Sequence, residues 1–147
     1  MTTERENLVT SLITLRACIV NQDQKILLIK RSNKNKTNIG KWEFPGGKLE
    51  KGELLNEVLK REIDQETGII LYEISNTLCH VTSRLISEIP DYAGITHVTI
   101  TTPIQINGKP KIKLSHEHDA FAWMSKTEAL TMDLRDEVRE ALLANII

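Results

Sequence analysis

The sequence predicts a mixed α/β domain, a curved mixed β-sheet packed between helices. Three observations carry that prediction. Short apolar β-type runs recur along the chain, two stretches carry helical periodicity instead, and no linker, repeat or low-complexity segment separates them. The 147 residues suffice for one ordinary domain with a core and are too few for two, so a single domain over 1–147 is expected.

Taken in order, residues 1–10 form a polar lead-in, and Leu12 to Val20 is the first strand. Asn21 to Gln24 reads as a tight turn, and Ile26 to Ile29 returns as the second arm of a hairpin. Ser32 to Gly40 is polar and turn-like. Lys41-Trp42-Glu43-Phe44-Pro45 is a short strand stopped by proline, after which Gly46-Gly47 opens a loop. Residues 53–67 have helical spacing, and Gly68 is placed to end that helix. β-type runs follow at about 70–87 and 97–106, and Asn107-Gly108 predicts a hairpin turn into Lys111–Leu114. A strand at Ala120–Met124 and a last helix from Leu134 to about Asn145, capped by Asp133, complete the set.

Composition narrows the function classes. Hydrophobic residues make up 40%, which is globular composition. The net charge of −1 supplies no positive field for nucleic acid, so no nucleic-acid partner is expected. The lead-in carries acids and no apolar segment, and no run approaches a membrane span, so a cytoplasmic protein without a membrane partner is expected. Cys18 and Cys79 lie in apolar runs without metal-site spacing and read as buried thiols. Lys30-Arg31 and Lys34/Lys36 suit either a solvated loop or the phosphates of a small ligand.

The helix at 53–67 breaks its own pattern. At 100° per residue, Leu54, Leu55, Val58, Leu59 and Ile63 share an arc of roughly 180°, opposite Asn56, Glu57, Lys60, Asp64 and Thr67. Glu62 and Glu66 fall in the middle of the apolar arc, with Gln65 near its edge. Being i, i+4 neighbours, their carboxylates stack on one face and repel, and burying either without a partner is costly. Two compensations are open: a basic partner for each, or a hard divalent cation such as Mg²⁺ or Mn²⁺. The preceding loop, Gly46 to Glu53, holds three glycines in eight residues, which lets backbone groups approach a metal or a phosphate.

Gly47, Glu53, Arg61, Glu62, Ile63, Gln65, Glu66, Gly68 and Ile69 resemble the Nudix box, G-x5-E-x7-R-E-U-x-E-E-x-G-U with U a bulky aliphatic, over 23 residues. One specified position departs: Gln65 stands for the first acid of the E-E pair. The flanks fit as well, from the Leu27-Leu28-Ile29-Lys30-Arg31 arm to the terminal helix, so the resemblance covers about 10–145. It implies the Nudix fold, an α/β/α sandwich around a mixed sheet, and Mg²⁺-dependent hydrolysis of a nucleoside diphosphate linked to another moiety. It implies that Glu62 and Glu66 bind metal, that Glu53 and Arg61 brace the loop against the helix, and that a carbonyl near Gly46 adds a ligand. Gln65 can offer an amide oxygen but no charge.

In Ser115-His116-Glu117-His118-Asp119, the resemblance makes Glu117 a metal ligand or base, with an exposed loop acid as the alternative; the two histidines read as solvated. Arg31 and Lys48 are the candidate substrate contacts. Trp42 reads as a core residue, with stacking on a base as the other role. The flanks look like the MutT-like branch, which turns nucleoside triphosphates into monophosphate and pyrophosphate. An ADP-ribose or other nucleotide-sugar pyrophosphatase, and a nucleotide sensor of weak activity, are the alternatives. A homodimer is left open.

Overall fold

A computed structural model describes residues 9–75 and 78–147. The first eight residues of the expected lead-in lie outside the described residues. β1 (Ser11–Val20) and β2 (Ile26–Arg31) form the expected hairpin, closed where Val20 faces Ile26. The Asn21 carboxamide oxygen accepts the backbone N–H of Asp23 and Lys25 at 2.9 and 3.0 Å, which fixes the turn.

Only the far half of β1 pairs with β2. Its near half, Thr14 to Arg16, pairs antiparallel with β4 (Gly46–Lys48), so the glycines expected in a loop belong to a short strand. β3 (Trp42–Glu43) pairs with β2, and the Pro45 carbonyl accepts the N–H of Ala17 at 2.9 Å. On the other edge of β1, β6 (Thr96–Gln105) runs parallel over its whole length, and β5 (His80–Leu85) pairs antiparallel with β6. β7 (His118–Met124) pairs antiparallel with β2. Among the described residues, one parallel strand pairing beside antiparallel ones makes this a mixed sheet of seven strands.

Alternation along β1 and β2 feeds two cores. Leu15, Ala17, Ile19, Leu27 and Ile29 pack with Val58, Leu59 and Ile63 of α1 (Leu55–Thr67) on one face. Cys18, Val20, Ile26 and Leu28 pack on the other with Phe44, Val138, Ala141 and Leu142, the last three from α3 (Asp136–Leu143). Burying each large aliphatic contributes on the order of 2 kcal/mol, and two such faces give the expected α/β/α sandwich. A short α2 (Lys126–Ala129), capped by the Ser125 hydroxyl, joins the second layer.

Several expectations are corrected. α1 begins at Leu55, not at 53, and Leu54 and Leu55 are 71% and 39% exposed, so the apolar arc starts at Val58. Thr67, placed on the solvated face, is buried, its hydroxyl donating to the Ile63 carbonyl at 2.6 Å. Of the β-type run 70–87, in which 76–77 lie outside the described residues, His80–Leu85 is the strand among the described residues. Asn107-Gly108 makes no hairpin: β6 prefers its parallel partner β1, and 111–114 instead crosses the end of α1, where Lys113 N–H donates to the Thr67 carbonyl at 2.9 Å. Asp133 does not cap the last helix. Its carbonyl accepts the Trp42 N–H at 2.9 Å, Arg135 takes the N-cap position, and α3 ends at Leu143. Trp42 packs against the second core, the core role expected of it. Cys18 is fully buried, whereas Cys79 is half-buried, its sulfur 3.5 Å from the Thr102 hydroxyl.

Candidate active site

The split between β2 and β4 along β1 opens a cleft of about 350 Å³ on the sheet face that carries Thr14 and Arg16. Its lining includes Arg31, Gly46, Lys48, Glu62, Glu66 and Glu117, so six of the expected site residues converge from β2, β4, α1 and the loop before β7. Gln65 is exposed and does not line the cleft, which corrects its expected place beside the two glutamates.

Glu53 and Arg61, the pair expected to brace the loop against the helix, are in direct contact. Arg61 donates from Nε and Nη2 to the two Glu53 oxygens at 2.9 and 2.8 Å, a bidentate pair that ties the loop before α1 to its second turn. The pairing lowers the Glu53 pKa and raises that of Arg61. The third donor, Nη1, reaches Glu62 Oε1 at 2.7 Å. A β-carbon on Gly47 would run into this same Glu62 side chain, so glycine lets β4 pass close to α1 with the Glu62 carboxylate in this position.

Of the two compensations open for the inward glutamates, the basic partner holds for Glu62 and fails for Glu66. Glu66 is 5% exposed, and among the described residues its hydrogen bond comes from the Gly46 N–H at 3.3 Å. Burial pushes its carboxyl well above the ordinary range, Glu43 and Glu62 add to the rise, and Arg16 opposes it. A buried carboxylate this poorly compensated, one turn from a second carboxylate, is a donor set that fits a hard divalent cation. The Gly46 carbonyl already accepts Arg16 Nη1 at 3.3 Å. Among the described residues, no three His, Cys, Asp or Glu side chains gather as a complete metal site, so Glu117 lies on the cleft without joining Glu62 and Glu66. Glu117 is exposed, and its backbone carbonyl anchors the loop by accepting from Ser32 N–H at 2.8 Å and Asn35 Nδ2 at 2.7 Å.

The cleft also holds a group that the sequence reading missed. Glu43, 1% exposed, accepts from Arg31 Nη1 at 3.1 Å, Arg135 Nη1 at 3.1 Å and His118 Nε2 at 2.8 Å, with Arg16 Nη2 at 3.4 Å. Burial works to raise its pKa, but Arg16, the His118 bond, Arg31 and Arg135 together hold it well below the usual carboxylate range. His118 is buried rather than solvated, with its Nε2 bonded to Glu43. Arg31 is therefore no free loop cation: its Nε donates to the Thr37 carbonyl at 3.1 Å and its Nη1 is held by Glu43. Lys48 is exposed, with its ammonium 5.9 Å from the Tyr92 ring centroid. One signal for this cluster was present: Arg16 is the one charge in an apolar strand, the same kind of broken pattern that marked Glu62 and Glu66.

Comparison with known proteins agrees with this geometry. The family model described as NUDIX domain matches residues 12–144. A CTP pyrophosphohydrolase of Escherichia coli K12 is 31% identical over 130 residues, 84% of this chain and 83% of that protein. An ADP-ribose pyrophosphatase of Methanocaldococcus jannaschii is 50% identical over 52 residues, 35% of this chain and 30% of that one. The crystal structure of a MutT protein from Methanosarcina mazei Go1 superposes with a TM-score of 0.76 at 28% identity, covering 92% of this chain and 93% of that one.

Proposed function

The chain belongs to the NUDIX domain family, and from this we propose that it hydrolyses a nucleoside triphosphate to the monophosphate and pyrophosphate, with Mg²⁺ at Glu62 and Glu66 and Mn²⁺ as an alternative ion. The observation that carries the reading is Glu66, a buried carboxylate whose bonded partner among the described residues is a single backbone N–H, facing a cleft walled by arginines. When bound, the cation supplies charge neutralisation of the diphosphate and of the leaving group.

The chain's own residues do the rest. Arg61 holds Glu62 in one orientation, and the Gly46 N–H does the same for Glu66. Arg16, Arg31 and Arg135 give one wall of the cleft the positive charge that a polyphosphate seeks. Glu117, exposed on the cleft, is placed to accept a proton from water or to complete the ligand set once substrate is present.

The MutT-like flanks and the CTP pyrophosphohydrolase similarity favour a triphosphate. The short but 50% identical match to an ADP-ribose pyrophosphatase favours a second reading, a nucleoside diphosphate linked to a sugar. A Mg²⁺-supplemented panel of nucleoside triphosphates, ADP-ribose and dinucleoside polyphosphates, with products resolved by chromatography, separates them. Monophosphate plus pyrophosphate from a triphosphate is the expected result. Orthophosphate release, or preference for ADP-ribose over every triphosphate, overturns it. Binding without turnover of any member points to a nucleotide sensor.

A further inference from the structure

We propose that Glu43 is a positioning residue for the substrate's phosphates, acting through Arg16, Arg31 and Arg135, which it holds together in one wall of the cleft. The inference rests on the reading of the substrate as a nucleotide polyphosphate. The three arginines come from separate places: the middle of β1, the end of β2, and the N-cap of α3. Arg31 reaches the cluster at a register shift between Lys30 and Arg31, which sets it opposite His118, so both side chains arrive at the same carboxylate.

Three guanidinium groups drawn to one point repel one another, and Glu43 is the carboxylate common to all three. Arg135 has a second acidic partner, Glu137, at 3.0 Å. Three positive charges thus share two bonded carboxylates, so the guanidinium cluster itself keeps one positive charge in excess, with Glu62 and Glu66 acting on Arg16 from across the cleft. Donor capacity is also in excess. A carboxylate offers about four lone-pair sites against about five N–H groups on each guanidinium, and the buried Arg16 Nε has no hydrogen-bond partner among the described residues. Phosphate oxygens are the acceptors that a preset fork of guanidinium donors suits best. Arg16 also donates to the carbonyls of Phe44 and Gly46 at 3.2 and 3.3 Å, so the same side chain joins Glu43 to the backbone that holds Glu66.

A carboxylate that served only the fold would affect melting and leave phosphate affinity alone. The test therefore compares wild type, Glu43→Gln and Glu43→Asp by two readouts below their melting temperatures. One is kcat and KM for the best nucleotide of the panel; the other is Kd for inorganic triphosphate by calorimetry in EDTA. Glu43→Gln should raise KM and Kd by about tenfold or more, the scale of a lost charge-assisted hydrogen bond, with a smaller fall in kcat. Glu43→Asp should recover part of both. A lower melting temperature with KM and Kd within about twofold of wild type overturns the proposal. If Glu43→Gln does not fold, Arg31→Lys and Arg135→Lys keep the charge but lose the planar fork. Weaker triphosphate binding in them supports the proposal, and unchanged binding overturns it. A wild type that binds inorganic triphosphate yet hydrolyses no nucleotide would refute the proposed activity, while the Kd series still decides the role of Glu43.

Discussion

Glu66 is the residue on which fold and chemistry pull in opposite directions. Its carboxyl is pushed well above the ordinary range by burial, and its proximity to Glu43 and Glu62 adds to the rise. The raised value has a definite sign for stability. Between the unfolded and folded pKa values the native state binds the extra proton, so metal-free protein should lose stability as pH rises through that window. Urea unfolding in EDTA across a pH series should show this slope in wild type and not in Glu66→Gln, whose folding needs no ionisation there. The same variant should lose at least about a hundredfold in kcat, the scale of a lost charge-stabilising element; near-normal turnover would remove Glu66 from the ion site. Gly47→Ala tests the neighbouring contact. Its β-carbon meets the Glu62 carboxylate, and the resulting shift should cut kcat by about a hundredfold, while a normal rate would show that Glu62 has room to move. Residues of this kind were legible wherever they broke a local pattern, as Glu62 and Glu66 did. Glu43 was not, because a short strand of mixed composition has no pattern to break, and its partner Arg135 lies 92 positions away in the chain.

At the scale of elements, the chain gave up its strands and helices most readily where local chemistry and tertiary packing agree. The β1–β2 turn is one such place, with its Asn21 side chain satisfying two backbone donors. Where they disagree, packing won. Asn107-Gly108 has the residues of a hairpin turn, but β6 is committed to ten parallel partners along β1, and the chain after it must return across α1 to reach β7. Leu54 and Leu55 fit the helical arc by angle yet sit in the N-cap and first turn, beyond the reach of the sheet. The C-terminus of α1 is the converse, for Gly68 was readable and adopts φ +78° with its N–H on the Asp64 carbonyl at 2.8 Å. Gly68→Ala would put its β-carbon at an ordinary 3.5 Å from Lys113, so its cost is backbone strain alone. That strain is about 1–2 kcal/mol, which corresponds to a fall of several degrees in Tm for a domain of this size. Differential scanning calorimetry should show the fall. An unchanged Tm would mean that the helix end does not depend on the left-handed residue.

For the molecule as a whole, the two cores on either side of the sheet act as one cooperative unit if β1 unfolds only with everything else. β1 contributes to both, pairs with β2, β4 and β6, and is the strand around which the cleft is cut. Its architecture was legible because the α/β/α arrangement follows from alternating strands and two amphipathic helices. The cleft was not, since it depends on how β2 and β4 divide one edge of β1, which no local pattern encodes. Cys18 offers a probe of the cooperativity. It lies in the second half of β1 with no exposed surface, and burial pushes its thiol up to about 12. Thiolate is the reactive form, so at pH 8 the folded protein should protect it from an aromatic disulfide reagent. In a Cys79→Ser background, modification should then proceed through opening of the chain, with a free energy equal to that from urea unfolding. Adding Mg²⁺ with inorganic triphosphate should slow the reaction further, because ligands of the folded state stabilise it by mass action. Modification much faster than global unfolding allows would mean that β1 opens locally. The cleft would then be walled by a strand able to move without the rest of the fold, and its arginines could not be held in a fixed array.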